Sequence, residues 1–162
     1  MSAALLLGGD TASGQPCWAR ACTATNTVQV HVGTVLRLSV QGFSAVLATA
    51  SLETIQSGRQ GSAGPTAVVR SNGSWRLEIS AAQEAWTPLD GAARPDKPAA
   101  DLTWSTESSD GFASLSTAPA DVARGGPTDG TTLPLHYRTR FSPASDTPGT
   151  YSLTVRLTLV GT

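Results

Sequence analysis

Residues 151–159 read YSLTVRLTL and carry the clearest structural signal in the chain. Polar side chains alternate along this stretch with apolar ones. The apolar positions are Tyr151, Leu153, Val155, Leu157 and Leu159. A period of two places successive side chains on opposite faces of a strand, so one face would be buried and the other solvated. The stretch therefore predicts a β-strand in an antiparallel sheet.

The same alternation recurs through most of the chain after residue 25. Its apolar positions are Val28, Val30 and Val32, then Leu36, Leu38 and Val40, then Trp75, Leu77 and Ile79, then Leu102 and Trp104, and finally Leu133, Leu135 and Tyr137. Trp75 and Trp104 occupy two of these apolar positions and are therefore predicted to be core residues. Between 66–70 and the strand at Trp75, the sequence Ser71-Asn72-Gly73-Ser74 predicts a β-hairpin, because Asn-Gly is favoured in two-residue hairpin turns.

These patterns predict an all-β protein, a single antiparallel β-sandwich of about seven to nine strands. We place the sandwich at 25–162 and an irregular N-terminal arm at 1–24. Two stretches rich in Pro and Gly, 87–100 and 119–132, are predicted to be long loops at the ends of the sandwich. Helical signals are weak: the sequence allows one turn at 81–86, before Pro88, and either a short helix or an irregular strand at 46–55.

Charge is scarce and unusual in kind. Charged residues make up 14% of the 162 residues, where about 25% is typical, and the formal net charge is −1. Lys97 is the only lysine. Without a basic excess the chain does not suit nucleic acid, and no apolar run approaches the roughly 20 residues of a membrane span. We therefore expect no nucleic-acid partner and no transmembrane segment of its own.

The N-terminal arm combines a short apolar run with two cysteines. The run Leu5, Leu6 and Leu7, with the alanines before it, is shorter than the apolar core of an export signal, although 19–21 has the A-x-A form of a cleavage site. A docking tail and a truncated signal are both open interpretations. Cys17 and Cys22 are predicted to form a disulfide in an exported chain, and unpaired thiols are the alternative.

No motif for catalysis, metal or cofactor binding stands out. His31 and His136 fall on the outward positions of their strands, and neither a G-x-S-x-G elbow nor a metal-ligand spacing is present. We therefore predict a non-enzymatic protein with no catalytic residues, no cofactor and no metal.

Arginine on the outward strand positions is the feature that points to binding. The interface candidates are Arg37, Arg76, Arg138, Arg140 and Arg156. Arginine is favoured at interfaces because its planar guanidinium makes forked hydrogen bonds, although a codon bias that replaces lysine would give the same composition. Trp18 and Trp86 lie outside clear strands and are predicted to be exposed anchors.

The turn Asp146-Thr147-Pro148-Gly149-Thr150-Tyr151 resembles the D-x-G-x-Y turn of immunoglobulin-like domains, with one extra residue. In that family the tyrosine hydroxyl bonds back to the turn. The Ser/Thr-rich strands and the closing 149–159 resemble exported bacterial sandwiches of the spore-coat and pilin-like kind. The whole chain also resembles an extrinsic accessory subunit of a bacterial photosynthetic reaction-centre–light-harvesting complex. That resemblance implies a periplasmic brace against integral membrane subunits, without pigment, which docks through its N-terminal arm.

Two other functions are open at this stage. A pilus-like or cell-surface subunit would assemble with its own copies by strand addition at sheet edges. A carbohydrate-binding or enzymatic sandwich would use the Pro/Gly loops, with Trp86 as a stacking platform.

Overall fold

The computed structural model describes residues 27–42, 51–90, 96–142 and 144–162, and the chain divides into two units between Val32 and Gly33. The predicted arm 1–24 lies outside the described residues. The elements of the second unit, in chain order, are β1 (Leu36–Gln41), α1 (Leu52–Ser57), β2 (Arg59–Ser71), β3 (Trp75–Ala81), β4 (Thr87–Pro88), a 3-10 helix (Ala99–Asp101), β5 (Leu102–Ser105), β6 (Ala113–Ser114), β7 (Ala120–Gly125), β8 (Thr128–Arg140), β9 (Tyr151–Ser152) and β10 (Val155–Gly161).

The strands form antiparallel sheets, which confirms the predicted all-β, sandwich-like fold. One sheet has the order β1-β2-β8-β5-β6, and the other has the order β10-β3-β7. Strands β4 and β9 make a short ribbon of their own. The described residues contain ten strands, where seven to nine were predicted, because three of them have only two residues.

The core lies where the inner faces of the two sheets meet. Trp75, Leu77 and Ile79 of β3 are each at most 3% exposed, and Leu135 and Tyr137 of β8 are buried opposite them. Trp104 of β5 is buried as well, so the prediction that Trp75 and Trp104 are core residues is confirmed. A fully buried aliphatic side chain contributes about 1.5–3 kcal/mol, so these faces hold the sheets together.

The predicted hairpin at 71–74 is wrong. Strands β2 and β3 do not pair with each other; they belong to different sheets, and the turn carries the chain across the sandwich. A two-residue hairpin turn of this type needs positive φ at both central residues, and neither Asn72 nor Gly73 has it. Instead, the Asn72 side chain accepts from the Val35 N–H at 2.7 Å and donates to the Gly33 carbonyl at 2.8 Å. These bonds to the segment before β1 stabilise the crossover.

The strand predicted at Val28–Val32 is wrong too. Residues 27–35 have no regular secondary structure, and Val28, Val30 and Val32 are 72–79% exposed. A period of two marks a segment as suited to a sheet, but a strand also needs a neighbour with free backbone groups. No described strand pairs with this segment.

The predicted loop at 119–132 is mostly strand. Strands β7 and β8 occupy it, and only Gly126 and Pro127 separate them. Glycine is required at Gly125, because a Cβ there would lie 2.7 Å from the Trp75 ring. The Trp75 indole N–H donates to the Gly126 carbonyl at 2.8 Å. A close approach to a buried tryptophan, and not a flexible loop, explains Gly125.

The C-terminal strand is interrupted. Tyr151–Ser152 pairs with β4, and β10 begins only at Val155, so the single strand predicted over 151–159 is divided between two sheets. The Tyr151 hydroxyl donates to the Thr147 carbonyl at 2.7 Å, which is the contact that the resemblance to the immunoglobulin-like turn implies. The predicted loop 87–100 contains β4, an isolated bridge between Ala85 and Pro98, and the start of the 3-10 helix.

Candidate interaction surfaces

The outer face of the five-stranded sheet carries the most distinctive charge pattern of the described residues. We call it the arginine face and define it by the arginines of β1, β2 and β8: Arg37, Arg59, Arg70, Arg138 and Arg140. The described strands of this sheet contain one acidic residue, Asp129. None of the five arginines forms an ion pair with a described residue.

Four of these arginines stand opposite one another as like-charged pairs. The β1–β2 register pairs Arg37 with Arg70, and the β2–β8 register pairs Arg59 with Arg140. All four are exposed. Like charges directly opposite each other across two strands are destabilising, so these pairs weaken the sheet slightly unless an anion lies between them.

Arg138 is held in place on the same face. Its guanidinium carbon lies 3.7 Å from the centroid of the Phe112 ring, and its terminal nitrogen donates to the carbonyls of Ser108 and Ser109 at 3.1 and 3.0 Å. A guanidinium over an aromatic face is stabilised by the ring quadrupole. The 108–112 segment therefore fixes one cation beside the Arg59–Arg140 pair.

Two shallow depressions flank the Arg59–Arg140 pair. The larger, of about 500 Å³, is open to solvent and lined by Gly58, Arg59, Asp101, Arg140, Phe141 and Ser142. The smaller, of about 150 Å³, is lined by Arg59, Thr103, Phe112, Arg138, Thr139 and Arg140. Because they are shallow and polar, they suit protruding side chains of a macromolecule better than an enclosed small ligand.

The three-stranded sheet treats a similar pair differently. Arg76 of β3 stands opposite Arg124 of β7, and the Asp121 carboxylate pairs with both guanidinium groups. Arg76 also pairs with Glu78 at 2.6 Å. Arg156 of β10 is exposed on the same sheet. In this sheet a carboxylate from the chain itself bridges the two opposed arginines.

Beneath the end of the arginine face lies a buried charge cluster around Lys97. The side chain is 2% exposed, and its ammonium donates to Asp101 at 3.1 Å, Asp146 at 2.8 Å and the Arg140 carbonyl at 2.9 Å. The Phe141 ring centroid lies 5.4 Å away. A buried ion requires partners for each of its donors, and these three acceptors match the three ammonium protons. The only lysine therefore joins the segment around the 3-10 helix to the end of β8 and the turn after it.

The described residues contain no group of three or more His, Cys, Asp and Glu side chains suited to a metal ion. Burial raises the pKa of Tyr137 from 10 to about 12, because the ionised phenolate would lose its hydration inside the sheet interface. That shift reflects core packing.

A second candidate surface is the open side of the sandwich, where β1 and β10 end the two sheets. Within the described residues, nothing pairs with the outer edge of either strand. Unlike the inward residues of β3, those of β1 and β10 are only half-buried. They are Leu38 and Val40 in β1, and Val155, Leu157 and Leu159 in β10. An edge strand presents unpaired N–H and C=O groups, so it is a template for a further strand.

The predicted interface and disulfide residues divide into four groups. Arg37, Arg138 and Arg140 lie on the arginine face, whereas Arg76 and Arg156 lie on the other sheet. Trp86 is not an exposed anchor or a stacking platform: it is 8% exposed and packs in the core, because β4 pairs with β9 and encloses it. The remaining candidates lie outside the described residues: Leu5, Leu6, Leu7, Cys17, Trp18 and Cys22.

Sequence reasoning missed Arg59, Arg70 and Lys97 as important residues. Arg59 begins β2, whose first half reads QGSAGP at 60–65 and lacks the apolar alternation that would mark a strand. Lys97 carried a signal that could have been used, since it is the single lysine beside ten arginines.

Comparisons with known proteins add no family. No protein-family model matches the chain, and no curated protein matches it. Among the described residues there is no helix with the length and apolar character needed to cross a bilayer.

Proposed function

We propose that the chain is a non-enzymatic structural subunit that joins other protein chains by strand addition. The observation that carries this proposal is the exposed segment 27–35, in which Val28, Val30, Val32 and Val35 are 60–79% exposed. Four β-branched apolar side chains, three of them at period two, have high strand propensity, and leaving them in water forgoes the stabilisation of burial. Such a segment is suited to pairing with the sheet of another chain.

The acceptor in this proposal is the open edge of β10. Its inward residues Val155, Leu157 and Leu159 are half-buried, and an added strand would cover them with its own valines. Because the described residues include both a segment with no strand partner among them and a sheet edge that none of them covers, further copies of the same chain are the partners that this proposal names.

Light scattering after size-exclusion chromatography tests the proposal on the full chain. The variant V28T/V30T/V32T keeps β-branched side chains of similar size but makes the segment polar, so we expect the wild-type oligomers to become monomers. The matched control Q29T/H31T changes the intervening positions and should assemble like the wild type. A wild-type chain that stays monomeric at high concentration, or equal loss in both variants, would overturn strand addition.

The location and the larger complex form a second proposal. We propose that the subunit acts outside the cytoplasm, on the periphery of a membrane, where it braces a membrane-bound complex. The support is the sequence resemblance to the accessory subunit of a photosynthetic reaction-centre–light-harvesting complex. Purification from native membranes separates the alternatives: a brace migrates with integral membrane proteins, a self-assembling subunit gives a ladder of oligomers, and a sugar-binding protein is a monomer retained on glycan resin.

A further inference from the structure

The three-stranded sheet contains a group that the described residues of the arginine face lack, a carboxylate between two opposed arginines. In the three-stranded sheet, Arg76 and Arg124 stand opposite each other with the Asp121 carboxylate between them. In the five-stranded sheet, Arg59 and Arg140 stand opposite each other in the same way, and no described acid pairs with either. One acid, Asp101, lines the same depression but bonds to Lys97.

We propose that the Arg59–Arg140 pair is the contact point for a carboxylate of an acidic partner protein, which would bridge it as Asp121 bridges Arg76 and Arg124. The planar guanidinium matches a carboxylate through two parallel hydrogen bonds, so two opposed arginines can hold the oxygens of one acidic side chain. Arg138, fixed by Phe112, supplies a third cation beside the pair.

A codon bias would explain why these residues are arginine and not lysine, but it would not explain their pairing. The same chain pairs Glu78 and Asp121 with Arg76 on one sheet and pairs no acid with Arg59 among the described residues of the other. Since like charges opposite each other destabilise a sheet, an unbridged pair reduces stability slightly. Binding of an external carboxylate would remove that cost.

The charge of the whole chain favours a locally acidic protein surface over a polyanion. A net charge of −1 gives no long-range attraction toward a nucleic acid or an anionic membrane. A protein surface with a few carboxylates requires only local complementarity over the patch. The shallow depressions on either side of the pair have room for the side chains that flank such a carboxylate.

Fluorescence anisotropy with the full chain tests this proposal. The probe is a labelled ten-residue glutamate peptide at about 50 mM salt, and we expect R59Q/R140Q to bind it at least about tenfold more weakly than the wild type. The matched control R124Q/R156Q removes the same charge from the other sheet and should change the affinity less than about twofold. Raising the salt concentration should weaken wild-type binding more than that of R59Q/R140Q.

Three outcomes would overturn the proposal. The first is no binding of the glutamate peptide by the wild-type chain. The second is an equal loss of affinity in R59Q/R140Q and R124Q/R156Q, which would indicate a response to net charge alone. The third is tighter binding to a single-stranded oligonucleotide or to vesicles of phosphatidylglycerol than to the peptide. Because none of these variants touches 27–35 or the inward residues of β10, the result is independent of strand addition.

Discussion

The Arg76–Arg124 pair and the Arg59–Arg140 pair have the same backbone setting and opposite electrostatic solutions. Each joins residues directly opposite across two antiparallel strands, on the outer face of a sheet. Asp121 bridges the first pair, whereas no described carboxylate bridges the second. The difference shows that this sequence can bridge opposed arginines with its own carboxylate, and the unbridged Arg59–Arg140 pair is the one for which we propose a carboxylate from a partner.

The contrast becomes sharper at the end of β8. The Arg140 carbonyl accepts from the buried Lys97 ammonium, while the Arg140 guanidinium lies on the exposed outer face. The Lys97 ammonium is therefore fully matched by acceptors and stabilises the fold. The Arg140 guanidinium, at the end of β8, has no counter-charge among the described residues. Pairing of charge follows burial here, because an unpaired ion is tolerated in water and costly in the interior.

The largest expected effect is at the buried cation. The substitution Lys97→Met leaves Asp101 and Asp146 without their shared partner, and breaking a buried ion pair typically costs about 3–5 kcal/mol. We expect the free energy of unfolding to fall by about that amount in chemical denaturation. The control R140Q lies in the same region but on the exposed face, so it should stay within about 0.5 kcal/mol of the wild type.

The double variant K97M/D146N separates two causes of instability. One is the lost attraction between Lys97 and its carboxylates, and the other is the cost of a carboxylate left without its cation. If the cost of K97M comes from uncompensated carboxylates, neutralising Asp146 should restore part of the stability. A decrease below about 1 kcal/mol for K97M would contradict the interpretation that burial decides which charges must be paired.

A pH titration tests burial on β8 itself, where Tyr137 points inward. Its pKa is about 12 in the folded chain and 10 in the unfolded chain, so the folded state favours the neutral phenol. The stability is unaffected below pH 10 and falls as the pH rises from 10 to 12, because only the unfolded chain releases the proton. At about 1.4 kcal/mol per pH unit, the loss reaches about 2–3 kcal/mol.

Denaturation of the wild type and Y137F at pH 9 and at about pH 11.5, on either side of the ordinary tyrosine pKa, measures this effect. The difference between the two proteins should change with pH, because the phenylalanine ring of the variant has no proton to lose. A Y137F variant with the same pH dependence as the wild type would show that Tyr137 is not the group responsible.

The sequence predicted well which face of a sheet a residue lies on, and poorly which strands pair with each other. Alternation correctly assigned Trp75 and Tyr137 to the core and Arg138 to the outer face, because a period of two depends only on local backbone geometry. The same alternation at Val28–Val32 did not produce a strand, since a period of two does not specify a partner and no described strand pairs with these residues. The Asn72-Gly73 turn failed for a related reason: its residues suit a hairpin, but side-chain bonds to Gly33 and Val35 direct the chain to the other sheet.

The arginine face shows the same limit at the level of the site. The outward position of Arg140 was visible in the sequence, but its partner across the sheet, Arg59, depends on the β2–β8 register. That register is set over long sequence separation and passes a bulge between Ala63 and Thr66. No local pattern could have shown that two arginines would stand together without an acid.

The bridge at Asp121 provides the next test of the comparison. The substitution Asp121→Asn removes the ion pairs to Arg76 and Arg124 and leaves those two arginines opposed, as Arg59 and Arg140 are. The carboxylate is partly exposed, so we expect a loss of about 0.5–1 kcal/mol in chemical denaturation at low salt. The loss should shrink in high salt, because screening weakens both the attraction and the exposed repulsion. An unchanged free energy of unfolding at low salt would indicate that the bridge does not distinguish the two pairs.

The smallest expected effect has the opposite sign. Replacing both members of the unbridged pair, in R59Q/R140Q, removes a repulsion and no described ion pair. The free energy of unfolding should therefore stay constant or rise by up to about 0.5 kcal/mol at low salt, and the difference should vanish as salt screens the repulsion. A clear destabilisation at low salt would mean that the two guanidinium groups stabilise the sheet. It would contradict the interpretation that they repel each other for want of a carboxylate. Since the same variant is expected to weaken binding of the glutamate peptide, a stable fold with reduced binding would separate the role of this pair in recognition from any role in folding.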